Sequence, residues 1–78
     1  MNFQQAKKIM SDLVPKDITW SIDLEHWYNS QGTTNHKHQE VRRVWLGNPI
    51  RESFGNKKTW QSAVDQALVA LRNEGLIK

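Results

Sequence analysis

The chain has 78 residues, 37% of them hydrophobic and 24% charged, with no cysteine, four tryptophans and a formal net charge of +3. That length suffices for a single domain, residues 1–78, with one core that buries only about 60% of the surface of the unfolded chain. The lack of cysteine excludes a disulfide framework and a cysteine-ligated zinc site, and no apolar run approaches the ~20 residues needed to cross a bilayer.

The first residues, Met1 to Lys8, lack the basic-then-apolar layout of a signal peptide, so the expected location is the cytoplasm, with no membrane as partner. Asn2 followed by Gln5 has the residue types of a capping box. Phe3, Ala6, Ile9, Met10 and Leu13 then recur at helical spacing, and the residue before Pro15 is pushed out of the helical region. The spacing predicts a helix over residues 3–13.

From Asp17 to Tyr28 the chain alternates. Ile18, Trp20, Ile22, Leu24, His26 and Tyr28 fall on one face, and Thr19, Ser21, Asp23, Glu25 and Trp27 on the other. A two-residue period of this kind predicts a long, half-buried strand. It puts Trp20 on the apolar face and Trp27 on the polar one, absent a bulge that shifts the register. Asn29 to His38 is polar and aperiodic, hence a long loop.

A second strand is expected over 39–46, where Val44 and Leu46 share a face with Arg42 while Val41, Arg43 and Trp45 share the other. Gly47-Asn48 has the composition of a two-residue hairpin turn, after which Pro49 can open a third strand over 50–54. Thr59 is a candidate N-cap for the last element, in which Trp60, Ala63, Val64, Ala67, Leu68 and Leu71 follow a helical rhythm. Gly75 suits a left-handed cap, with Leu76 folding back in a Schellman ending, so helix is expected over 60–74. These elements imply an α+β fold: a two-layer α-β-β-β-α sandwich whose three-stranded antiparallel sheet carries both helices on one face. Trp20 and Trp60 are then core anchors.

Charge is unevenly placed. Residues 1–25 carry −1, residues 37–58 carry +4 (Lys37, Arg42, Arg43, Arg51, Lys57 and Lys58 against Glu40 and Glu52), and the last twenty residues balance. A basic middle is the footprint expected for an anionic partner, and equally a solubilising surface. Lys57 and Lys58 precede a helix N-terminus, where a phosphate would meet both their charges and free backbone N–H groups. Arg42 and Arg43 either join them or offset Asp23 and Glu25 across the sheet, and for Arg43 the ion-pair reading is the stronger. Trp27 is a candidate to stack a base or anchor a protein, unless it pairs across the strands with Trp45. His36 and His38 in a loop without cysteine are weak metal ligands, and no nucleophile elbow or phosphate-binding glycine loop occurs, so neither metal, cofactor nor catalysis is expected.

The element order, with a basic loop between the first two strands and Lys57-Lys58 before the last helix, resembles the double-stranded-RNA-binding domain over nearly the whole chain. That family's loop reads Gly-Pro-x-His where this chain has Gly32-Thr-Thr-Asn-His36. Its last helix opens Lys-Lys-x-Ala-Lys where this chain has Lys57-Lys-Thr-Trp-Gln61. The chain also looks like small proteins of bacteriophages and prophages, which pair a strand such as Trp20-Ser-Ile-Asp-Leu24 with a helix opening as Thr59 to Val64 does. This second resemblance implies a host-takeover or anti-defence protein, such as an anti-CRISPR, that binds and blocks. The expected function is a non-enzymatic binding protein, monomeric or homodimeric. Its partner would be nucleic acid, a nucleoprotein complex or an acidic protein surface, met by Lys37, Arg42, Arg43, Arg51, Lys57, Lys58 and Trp27. The alternative is a protein-only inhibitor or assembly factor that uses the exposed sheet face or edge.

Overall fold

The computed structural model describes residues 1–28 and 38–78, with the side chains of all of these except Trp27, Tyr28 and His38. Helix α1 (Phe3–Leu13) starts on the capping box written in the sequence. Asn2 Oδ1 accepts from the Gln5 amide at 2.9 Å, and Gln5 Oε1 accepts from the Asn2 amide at 2.8 Å. It stops at Val14, which turns extended ahead of Pro15. A turn follows, closed by the Ile18 amide on the Pro15 carbonyl at 3.0 Å. The first strand therefore begins later than the alternation suggests, as β1 (Trp20–Tyr28), with Ile18 buried ahead of it.

Strand β2 (His38–Leu46) pairs antiparallel with β1 from Trp20↔Leu46 to Tyr28↔His38, without a bulge. Strand β3 (Glu52–Asn56) pairs antiparallel with β2, from Leu46↔Glu52 to Arg42↔Asn56, so the sheet order is β1-β2-β3. The β2–β3 connection corrects the sequence expectation. Five residues, Gly47 to Arg51, intervene instead of two, and the third strand lies two residues further along than 50–54. The Gly47 carbonyl accepts from both Ile50 and Arg51 at 3.0 Å, the Asn48–Pro49 peptide is cis, and Arg51 takes a left-handed φ of 53°. That geometry keeps Pro49 in the turn, where its missing N–H leaves no ladder bond unmade.

Helix α2 (Trp60–Asn73) opens on Thr59, whose hydroxyl accepts from the Ser62 amide at 3.2 Å. It ends as a Schellman motif. Gly75 sits at φ 71°, its amide donates to the Arg72 carbonyl and the Leu76 amide donates to the Leu71 carbonyl, each at 2.9 Å.

One core joins both helices to one sheet face. Ala6 and Met10 of α1, Trp60, Ala63, Val64, Ala67, Leu68 and Leu71 of α2, and Val44 and Leu46 of β2 are all buried in it. Phe3 meets Trp60 edge-to-face, with ring centroids 5.4 Å apart, and so fastens the start of α1 to the start of α2. This is the two-layer α-β-β-β-α arrangement read from the sequence. Helix α2 lies over β2 and β3, and α1 packs on α2. Trp60 is a core residue as expected. Trp20 is half-buried at the core's margin.

Candidate binding surface of the sheet

The antiparallel register decides which side chains share the open face. Ser21, Asp23 and Glu25 of β1 stand opposite Trp45, Arg43 and Val41 of β2, with Ser53 and Gly55 of β3 beyond. At the centre, the Arg43 guanidinium is shared between two carboxylates. Its Nε and Nη2 donate to Asp23 Oδ1 and Oδ2 at 3.2 and 2.9 Å, and its Nη1 lies 3.2 Å from Glu25 Oε2. The hydrogen bond to Asp23 raises the Arg43 pKa above its ordinary value. Desolvation opposes this, and the charges of Asp23 and Glu25 add to it. Arg43 is thus occupied within the molecule.

Trp45 remains on this face with 37% of its surface exposed. Its ring is seated over Gly47, where a methyl group would come within 3.2 Å of Trp45 Cη2 and 3.1 Å of the Thr19 carbonyl oxygen. Trp45, Arg43, Asp23, Ser21 and Ser53 line a notch of about 250 Å³ that offers donors, acceptors and an aromatic wall together. The cross-strand Trp27–Trp45 pair considered from the sequence does not form. Trp45 is opposite Ser21 and Trp27 is opposite Gln39, which separates the two backbone positions by six residues, roughly 20 Å along the strands.

The basic residues divide into separate groups. Arg42 lies on the helix side, where its Nη1 donates to the Lys57 carbonyl at 2.9 Å and its Nη2 is 3.8 Å from Glu40 Oε2. This contact gathers Arg42, Lys57 and Lys58 at the corner where β3 ends, beside a cleft lined by Val41, Gly55, Asn56, Lys57 and Lys58. Arg51 is exposed in the β2–β3 turn, at the opposite end of β3 from that corner. Lys37 lies outside the described residues, as does His36, and the side chains of Trp27 and His38 likewise lie outside the description.

The amides ahead of α2 also differ from expectation. Asn56 Oδ1 accepts from both Lys58 and Thr59 at 2.8 Å, and Thr59 takes the Ser62 amide. A phosphate would therefore meet the two lysine charges but find these three N–H groups already satisfied. Gly55-Asn56 reads as a chain break from the sequence, and the structure adds that the Asn56 side chain itself closes the turn onto the Lys58 and Thr59 amides.

The two edges of the sheet are treated differently. At β3, Gln66 reaches from α2 and its Nε2 donates to the Gly55 carbonyl at 3.3 Å. Among the described residues β1 has a strand partner on one side only, β2. No helix of the described residues is long and apolar enough to cross a membrane. Comparison of the chain with protein-family models, curated proteins and solved structures gives no match.

Proposed function

We propose that the protein is a non-enzymatic binding module that docks a protein partner on the open sheet face and the adjoining β1 edge. The observation that carries this reading is Arg43. Held by Asp23 and Glu25, it leaves no unpaired cation beside the exposed Trp45 among the described residues, a surface suited to an aromatic anchor rather than to a row of phosphates. A phage-type role in which the protein blocks a host complex in the cytoplasm would use this same surface.

A second reading rests on a different observation. Arg42, Lys57 and Lys58 converge at one corner and could meet the backbone of a nucleic acid or of a nucleoprotein complex. The two readings separate by salt. Three phosphate contacts would give a slope of about −2.7 in log affinity against log salt, or about a fortyfold loss between 50 and 200 mM. A Trp-centred contact changes little over that range.

Intrinsic tryptophan fluorescence, titrated with duplex DNA, single strands and duplex RNA at both ionic strengths, tests the second reading. Co-purification of partner protein by wild type and by Trp45→Ala tests the first. The protein-docking reading expects no steeply salt-dependent nucleic-acid binding and a partner lost in Trp45→Ala. Nucleic-acid binding that vanishes in a Lys57→Glu, Lys58→Glu double variant, with no Trp45-dependent partner, would replace it with the second.

A further inference from the structure

We propose that the outer edge of β1 accepts, as a fourth strand, an extended protein segment in which apolar residues alternate with lysine or arginine. The proposal rests on the protein-docking reading and specifies the partner's chemistry. Three observations lead to it.

The first is which main-chain groups the edge presents. The Gly47 amide donates to the Thr19 carbonyl at 2.7 Å, one step beyond the Trp20↔Leu46 pair. In an antiparallel ladder hydrogen-bonded and non-hydrogen-bonded pairs alternate, so the odd-numbered residues of β1 bond to β2. The N–H and C=O groups of Trp20, Ile22 and Leu24 therefore point away from β2, along the free edge. The same alternation carried across β2 turns Ser53 and Gly55 outward on β3, and Gly55 is the residue whose carbonyl Gln66 takes up. Among the described residues, no such side-chain plug meets the N–H and C=O groups of Trp20, Ile22 and Leu24.

The second observation is that, among the described residues, β1 has no backbone device that blocks strand addition. Trp20–Tyr28 contains no proline, glycine or lysine, and its nine pairs with β2 run without a bulge. Leu24 faces the helix side, yet 37% of it is exposed, because α2 covers β2 and β3 rather than β1. A fourth strand would bury it.

The third is charge. On the open face β1 presents two carboxylates to a single guanidinium, with Asp23 and Glu25 side chains 52% and 33% exposed. The surplus negative charge lies at the edge. A second copy of β1 is a poor occupant. A two-fold centred on Asp23, Leu24 or Glu25 opposes Asp23 to itself, Asp23 to Glu25 or Glu25 to itself, and like charges directly opposite are destabilising. A segment with lysine or arginine opposite Asp23 and Glu25 reverses that sign. Its alternate residues then fall on the helix side against Ile22 and Leu24, where apolar side chains are favoured.

The probes are two capped peptides matched to the length of β1, 9 residues, one alternating valine with lysine and the other valine with glutamate. The lysine peptide should bind about tenfold more tightly than the glutamate peptide. On binding, amide exchange should slow at Trp20, Ile22 and Leu24. Leu24→Pro removes an N–H that β2 does not use and should abolish peptide binding. Glu25→Lys should shift the preference toward the glutamate peptide, and it carries the test if Leu24→Pro does not fold.

Equal affinities, no binding of either peptide, or protection away from β1 would overturn edge docking. Trp45-dependent capture of a partner that persists without peptide binding would leave open-face docking standing and remove only the edge.

Discussion

Whether Arg43 is an internal ion or a cation held ready for a partner can be settled by a double-mutant cycle with Asp23. At 4 Å a unit pair attracts by about 1 kcal/mol in bulk water and by more near a protein surface. Exposed pairs return a net 0.2–1 kcal/mol or so after side-chain ordering. Arg43 and Asp23 are 37% and 52% exposed, which discounts the pair, but the guanidinium meets both carboxylate oxygens, which places it toward the upper end. The expected coupling energy is therefore roughly 0.5–1 kcal/mol at low salt.

Arg43→Ala alone also loses the Glu25 contact and leaves two carboxylates uncompensated, for a cost of about 1 kcal/mol. The assay is urea unfolding of the wild type, Arg43→Ala, Asp23→Ala and the double variant, followed by tryptophan emission. In 1 M salt, where the screening length is about 3 Å, the coupling should fall by more than half. A coupling near zero at low salt, or an Arg43→Ala variant more stable than wild type, would refute the reasoning. It would return Arg43 to the set of cations available to a phosphate.

Other consequences concern the frame that positions this surface. Gly75→Ala meets no atom within 4 Å, so its cost is conformational alone, about 1–2 kcal/mol; thermal unfolding should move down by roughly 4–8 °C per kcal/mol, and Gly75→Asn should lose less. Thr59→Ala removes the α2 N-cap and should cost about 1 kcal/mol in the same assay. Leu71→Ala empties a fully buried site and should cost about 2–5 kcal/mol, enough to populate unfolded chain visibly in urea at room temperature.

Local chemistry was readable from the sequence where a residue's role depends on neighbours within a few positions. The Asn2–Gln5 box, the Thr59 cap, the Gly75–Leu76 ending and the buried stripe of α2 all have the structure their spacing implies. The element order and the one-sided cover followed from the same periodicities. Strand register was not readable, because every even shift keeps the same faces, and the Trp27–Trp45 pairing failed for that reason.

The β2–β3 turn was misjudged because Gly47-Asn48 has the composition of a tight hairpin, while the observed turn depends on Arg51 taking a left-handed φ that its residue type does not signal. Arg42 and Arg43 adjoin in sequence but face opposite sides of the sheet, so one joins Lys57 and the other joins Asp23. Gln66 reached the β3 edge through tertiary placement alone.

Site-specific photo-cross-linking in cells that hold the partner tests the central claim most directly. A cross-linking residue is placed in turn at Ser21 on the open face beside the β1 edge, at Lys58 in the basic corner, and at Val69, which is 49% exposed on α2. Protein adducts from Ser21 with none from Val69 are the predicted result. Nucleic-acid adducts from Lys58, with none of any kind from Ser21, would contradict it.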